Sequence, residues 1–487
     1  MADRLDAADA AFLQVEDAGA PQHTGTLAIC HDPDGLLDYA ELVARVRRHL
    51  TTAPRYRQVV RQVPGRLANP VWVDDRSFDV SYHVRRSALT RPGGDQQLRE
   101  LVARIMSRPL DRGRPLWEMY LVEGLSDDRV AILSKSHHAL VDGVRTVDIG
   151  QLVPDADPCV RDGPPPDHAS RPPDTHGGDG WRTTAAPSSL GLVVDALVDV
   201  ARRPGQAVEA VRLGVTDVRG TAGRIAGTAV GLASAVRAAA RPGNGSPPRA
   251  RTGAQRLFTT VDTSLADYRR VRSALDASIN DVVLATVTGA LRSWLQARGE
   301  LVATDATVRA VVPVSVQDDT EPATGNGGLR PVGSPSGRTV SSYLVDLPVG
   351  EPSPTMRLHQ VGYATRAHKD TGLAVAAGTL VRLSGFAPPT LHALGARVAS
   401  TLTQRASHLV ISNVPGSQST LYVAGARMLR SYPVAPIPPG QVLSIGVTSY
   451  DGGVYYGLYA DRDTMANVDV MEQCILDSLS ELVEAAR

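Results

Sequence analysis

Residues 129–143 read Arg-Val-Ala-Ile-Leu-Ser-Lys-Ser-His-His-Ala-Leu-Val-Asp-Gly. The apolar run Val130–Leu133 predicts a strand, with a plausible helix from about Val144 beyond the turn. The segment His137-His138-Ala139-Leu140-Val141-Asp142-Gly143 thus sits at a strand end, a place from which a side chain can face a cleft. An imidazole there can take a proton from a hydroxyl near neutral pH, since its unperturbed pKa is about 6.5. Asp142 fits a turn ahead of Gly143, which supplies backbone freedom. A carboxylate four residues on can orient an imidazole or brace the loop through an arginine. Two bland readings stand beside this one. The heptad can be a hydrogen-bonded turn with no chemistry, or a fragment of a metal site. The second lacks a third ligand at a diagnostic spacing.

Working outward, strand-like and helix-like stretches alternate on both sides. Gly25–Cys30, Leu116–Glu123 and Arg129–Ser134 read as strands, and Tyr39–Leu50 and Leu98–Met106 as helices. This mixture predicts an α/β sandwich over residues 1–155. Residues 156–189 form a Pro/Gly-rich linker that cannot bury a core. Residues 190–253 read as helical and Arg-rich, ending in a second Pro/Gly/Ser break. A second mixed zone covers 254–487. It holds a helix opened by Ser278-Ile279-Asn280-Asp281, with Val283, Val287, Ala290, Leu291, Trp294 and Leu295 on one face and Gly299 at its end. Asn280 and Asp281 sit where helix caps sit; the Asn280 amide and the helix N-terminus can also stabilise an oxyanion. Ile411–Gly416 reads as a strand running into a turn, and Leu443–Asp451 with Val454–Asp461 as a hairpin.

Composition excludes some classes. Lys+Arg and Asp+Glu both number 51, so no net field draws nucleic acid. Cys30, Cys159 and Cys474 form no CxxC pair and read as free thiols in a reducing compartment. The first residues carry no apolar core of a secretory signal, and the best apolar run, Ile225–Val236, stops at Arg237, short of a membrane span. Between Val218 and Val261 stand seven arginines and no acid. That segment either touches anionic lipid or is a solvated connector. There is no G-x-S-x-G elbow, no Walker A loop and no G-x-G-x-x-G turn, so covalent serine and nucleotide chemistry lack support.

Taken together, the motifs resemble the bacterial wax ester synthase/diacylglycerol acyltransferases, within the wider CoA-dependent acyltransferase group. HHALVDG at 137–143 matches HHxxxDG, and Pro115-Leu116-Trp117-Glu118 matches the PLW motif. Asn280-Asp281 matches the ND motif, Arg309–Ser315 a family strand and Ser412–Gly416 the NVPG turn. The resemblance spans nearly the whole chain apart from the linker. It implies two chloramphenicol-acetyltransferase-like domains, each a mixed sheet flanked by helices, with an active-site tunnel at their junction. It also implies His138 as general base, with His137 shaping the site and Asp142 holding the loop. Gly143, Asn280 and Asp281 become site-shaping or oxyanion candidates, and Arg309 is the candidate salt-bridge partner of Asp142. Acyl-CoA and a lipid alcohol are the implied substrates. No cofactor, metal or nucleic acid is expected. The expected place is the cytoplasm, at the inner membrane face or lipid inclusions. One departure is that Arg338, after a Gly/Pro-rich insertion at 321–336, stands where the family usually has Asn. Diacylglycerol and fatty alcohols are the leading acceptors. A different lipid alcohol, a carrier-protein donor, and a weakly catalytic lipid-binding relative are the alternatives.

Overall fold

The computed structural model describes residues 3–5, 9–10, 12–13, 16, 19–64, 68–141, 148–157, 191, 253–316, 339–370 and 407–487. The first half runs through strands β1 (Asp3–Arg4) and β2 (His23–His31), helix α1 (Tyr39–Thr52), β3 (Gln58–Arg61), β4 (Val71–Asp74), the one-turn α2 (Val80–His83), β5 (Val84–Ala88), α3 (Asp95–Ser107), β6 (Trp117–Glu123), β7 (Arg129–His137) and the short α4 (Ile149–Leu152). The second half follows as β8 (Arg256–Ser264), α5 (Leu265–Leu275), α6 (Ile279–Ala297), β9 (Val308–Val316), β10 (Thr339–Leu347), α7 (Pro354–Asp370), β11 (Leu409–Pro415), β12 (Tyr422–Val423), β13 (Ala426–Val434), β14 (Leu443–Tyr450), β15 (Gly453–Asp461) and α8 (Val470–Ala485).

Two six-stranded sheets carry the fold, one ordered β12-β13-β2-β7-β6-β5 and the other β10-β9-β11-β14-β15-β8; β1, β4 and β3 form a small third sheet. Both large sheets are mixed, with β5 and β6 parallel in the first, and β9, β11 and β14 parallel in the second. The boundary expected at 253/254 is crossed by one segment. Strand β13 pairs antiparallel with β2, so residues from the second zone complete the first sheet. The remaining linker expectations, 156–189 and 190–253, fall almost wholly outside the described residues.

Local sequence explains the elements. Helix α1 starts where the Asp38 carboxylate accepts from the Glu41 backbone N–H at 2.8 Å, and it buries Leu42, Val46 and Leu50. The β14–β15 hairpin closes as expected through Asp451 and Gly452, both at positive φ, the geometry of a two-residue turn that suits twisted strands. Helix α6 departs from the reading of a one-faced amphipathic helix. Every residue from Asp281 to Leu291 is buried, because α5, α7 and α8 surround the sides that do not face the sheet. Its cap also differs: Ser278 is the N-cap, while Asp281 lies one turn in and completes a reciprocal capping box.

One apolar cluster fills the second half, and another fills the first half together with Val423, Ala426, Met428 and Tyr450 of the second. A third spans both, joining Leu27 and Ile29 of β2, Val102 of α3, Phe258 of β8 and Tyr459 of β15. Arg99 of α3 reinforces this junction by donating to the Thr259 hydroxyl at 2.9 Å and to Glu472 at 3.0 Å. Cys30 and Cys474 are buried free thiols. No single described helix is long and apolar enough to cross a membrane.

Candidate active site

Strand β7 runs three residues further than Arg129–Ser134 predicts and ends on His137, so the histidine pair straddles the strand terminus. The pair divides by burial: His137 is buried and His138 is half-buried. His137 is held on every side. Its backbone N–H donates to the Leu116 carbonyl at 2.9 Å, and its Nδ1 accepts from the Ala139 N–H at 3.0 Å. An Nδ1 that accepts leaves the proton of a neutral ring on Nε2. That Nε2 faces Glu16 at 3.4 Å. The His138 backbone N–H donates to the Gln22 carbonyl at 2.8 Å, and its ring meets the edge of Phe12 with centroids 4.2 Å apart. The turn after it is closed by the Leu140 N–H on the His137 carbonyl at 2.8 Å.

A buried charge cluster supports this strand end. Burial works against the charged form of Glu16, but His137, His23 and Arg112 outweigh it and hold the carboxyl well below the usual carboxylate range. Burial pushes the His23 imidazole down to about 4 despite Glu16 beside it. Lys135, two residues before His137, is buried and pushed down to about 8 by that burial. Its ammonium donates to the carbonyls of Ile105 at 2.9 Å and Arg108 at 2.5 Å, capping the C-terminal end of α3 where a cation is favoured. Glu16, His23 and Arg112 escape a reading of the sequence. Their only trace there is an acidic pair, Glu16-Asp17, ahead of a strand that opens on histidine. Sequence spacing carries no sign that this strand pairs with β7 so as to set His23 opposite His137.

The PLW segment also has a positional role. Trp117 is fully buried, stacks on His83 with centroids 4.6 Å apart, and donates its indole N–H to the Tyr56 carbonyl at 2.7 Å. Its neighbour Leu116 supplies the carbonyl that holds His137.

In the second half, two motifs far apart in sequence meet. The Asn413 side-chain amide donates to Asn280 Oδ1 at 3.2 Å, and the Asn280 side chain hydrogen-bonds the Tyr343 hydroxyl. The Asn280 NH₂ group carries two hydrogens, so one such bond leaves a second donor for a ligand. Asp281 is committed elsewhere. One oxygen takes the Ser278 N–H and hydroxyl at 3.1 and 2.6 Å, and the other takes the Thr365 hydroxyl at 2.7 Å. It braces α6 and α7. Arg309 places Nε and Nη2 on the Asp346 carboxylate of the adjacent strand at 2.6 and 3.1 Å. Its proposed partner Asp142, with Gly143, lies outside the described residues, as do Arg338 and the insertion before it. No group of His, Cys, Asp and Glu among the described residues is arranged to hold a metal ion.

This architecture has known counterparts. Residues 5–283 match the wax ester synthase/diacylglycerol acyltransferase catalytic domain, and residues 336–483 match the C-terminal domain of the same family. A probable diacylglycerol O-acyltransferase of Mycobacterium tuberculosis, tgs3, is 41% identical over 277 residues, covering 57% of this chain and 97% of that one. A second from that organism, tgs1, is 32% identical over 486 residues, covering 98% and 95%. Among solved structures, the wax ester synthase/diacylglycerol acyltransferase of Marinobacter aquaeolei VT8 aligns over 99% of both chains with a TM-score of 0.64 and 25% identity. The first condensation domain of the calcium-dependent antibiotic synthetase aligns over 100% of this chain and 96% of its own with a TM-score of 0.56 and 16% identity, a likeness of fold alone. The chain therefore belongs to the wax ester synthase/diacylglycerol acyltransferase family and has that family's two-domain fold of mixed sheets flanked by helices.

Proposed function

We propose that this protein moves a long-chain acyl group from acyl-CoA to the hydroxyl of diacylglycerol, and to long-chain alcohols, with His138 as general base. The observation that carries the role of His138 is the split between the two histidines: His137 is buried, its Nδ1 taken by the Ala139 N–H and its Nε2 facing Glu16 at 3.4 Å, whereas His138 is half-buried at the strand end. The names of the mycobacterial relatives support the acceptor.

In the proposed reaction a His138 ring nitrogen takes the proton of the acceptor hydroxyl as its oxygen attacks the thioester carbonyl. The tetrahedral intermediate carries its negative charge on the former carbonyl oxygen. The remaining N–H of Asn280 is the proposed donor to that oxygen, a kind of contact worth about 10²- to 10³-fold in kcat. Collapse breaks the carbon–sulfur bond, and the imidazolium returns its proton to the departing CoA thiolate. The ester and free CoA then leave. General base catalysis of this kind contributes about 10²- to 10⁴-fold. Asp142 keeps its proposed role of holding the loop, with Arg309 as its candidate partner. The substrates enter through a proposed tunnel between the two domains, CoA on one side and acceptor on the other. Its lipid substrates make a membrane or lipid-inclusion surface the proposed place of work.

The test is CoA thiol release from palmitoyl-CoA with diacylglycerol or hexadecanol as acceptor, run beside His138→Ala. Release by the wild type alone, with an ester product, is the expected result. Equal release by both proteins removes His138 from the mechanism.

A further inference from the structure

Acyl transfer by His138 leaves one buried charge without a task. Glu16 lies in the arm ahead of β2, and its side chain is 8% exposed. Its Oε1 stands 3.3 Å from His23 Nε2 and accepts from the Gln22 backbone N–H at 3.2 Å. Its Oε2 stands 3.4 Å from His137 Nε2 and accepts from Arg112 at 2.5 Å. A carboxylate in this place carries a desolvation cost that an apolar side chain of the same volume would avoid. Such arrangements concentrate at functional sites.

The contacts enclose the backbone of His138. His23 and His137 are directly opposed on β2 and β7, their rings 6.1 Å apart, and Glu16 faces both ring Nε2 atoms. On one side the Glu16 carboxylate approaches the His137 ring to 3.4 Å, and the other ring nitrogen is fixed by Ala139. On the other side it holds the N–H of Gln22, whose carbonyl takes the N–H of His138. The arm is itself tied down from the second domain, because Arg256, ion-paired with the buried Asp461, donates to the Gly19 carbonyl. Loss of Glu16 frees both supports at once.

We propose that Glu16 is a positioning residue for acyl transfer: its carboxylate, shared by His23 and His137, fixes the His137 ring and the peptide around His138, and so sets the direction in which the base points. Glu16 touches no reacting atom. The proposal rests on His138 being the base, and it extends that reading to the residue that aims it.

The test uses the full chain with Glu16→Ala and the isosteric Glu16→Gln. For folded Glu16→Ala, kcat should fall about 10- to 100-fold while KM for palmitoyl-CoA stays within about twofold, since misdirection of a base costs turnover rather than binding. Glu16→Gln keeps an acceptor without the charge and should recover part of the loss. Nitrogen NMR of the His137 ring supplies a readout independent of turnover. The wild type should show one well-defined ring pattern with a proton on Nε2, and Glu16→Ala a shifted or averaged one. If Glu16→Ala does not fold, Glu16→Gln carries both measurements, with a smaller fall in kcat and a shifted ring pattern expected. An unchanged kcat, or a raised KM at unchanged kcat, overturns the proposal. So does an identical ring spectrum in wild type and variant, even if the wild type releases no CoA. Absence of wild-type release beside a shifted ring spectrum would instead sink the acyl-transfer reading and leave the positioning contact standing.

Discussion

Asn413 donates its side-chain amide to Asn280 Oδ1 at 3.2 Å, joining the end of β11 to the first turn of α6 across 133 residues of sequence. The bond occupies the Asn280 oxygen, so its NH₂ group is the end that donates. Asn280→Ala should lower kcat by about 10²- to 10³-fold if that group binds the oxyanion. Asn413→Ala removes only the tether, and its loss should be nearer tenfold. Because the two act as a unit, the double variant should be no worse than Asn280→Ala alone. Rates of CoA release for the four proteins decide this, and additive losses would show that the two asparagines work independently.

Asp281 predicts a different signature. Its carboxylate closes the Ser278 capping box and receives the Thr365 hydroxyl. Asp281→Ala should cost about 2–3 kcal/mol of stability, from a lost cap and a lost charged hydrogen bond. Urea unfolding reads that cost directly. At temperatures where the variant is folded, kcat should stay close to wild type, in contrast to Asn280→Ala.

His83 makes stability depend on pH. Burial pushes its imidazole from 6.5 down to about 4, with the Trp117 carbonyl at 2.8 Å opposing the shift. Unfolded, His83 takes up a proton as pH falls through 6.5; folded, it resists until about 4. Between those values the unfolded state holds the extra proton, so stability falls as pH falls. The contribution present above pH 6.5 is at most about 3 kcal/mol and is gone near pH 4. His83→Gln should flatten that slope by about one proton. Urea midpoints at pH 7 and pH 5 for both proteins test it, and parallel losses would rule His83 out as the source.

Gly25 predicts the tolerance of β2. A Cβ there would stand 2.1 Å from the Ser134 carbonyl oxygen of β7. Gly25→Ala must therefore spread the two strands three residues before His137, at a cost of roughly 1–3 kcal/mol. The same spreading shifts His23 and His137 relative to Glu16, so activity should fall along with the melting temperature. An alanine variant with wild-type melting and turnover would show that the strands absorb the change.

Much of the frame is legible in the sequence because it is local. The strand before His137 and the helix after Ser278 are set by apolar runs, an N-cap and a glycine stop. The hairpin around Asp451 and Gly452 is set by the turn residues themselves. The resemblance implies His138 and Asn280 as site candidates, whereas Asn413 reads only as part of a turn motif. The unread parts depend on pairing between distant segments. Nothing in the spacing of Glu16, His23 and Arg112 shows that two strands will bring them to His137. The one-faced pattern of α6 hides its burial on all sides, since Ala285, Thr286, Thr288 and Gly289, which mark no apolar face, are buried too. The Ser278–Asp281 capping box is legible from spacing, but its tie to Thr365 on α7 is not.

The strand exchange has a consequence for synthesis. β2 receives its second neighbour only from Ala426–Val434. A ribosome that has made the whole first half has therefore made a sheet with one long open edge, and that edge waits through nearly 300 further residues before its partner arrives. Unpaired strand edges are templates for aggregation. The histidine strand lies next to that edge strand, so the nascent first half holds the sheet without β12 and β13. Maturation of the active site is tied to completion of the second half, and a chain truncated before residue 426 should be caught by chaperones or proteases rather than accumulate as a half-enzyme.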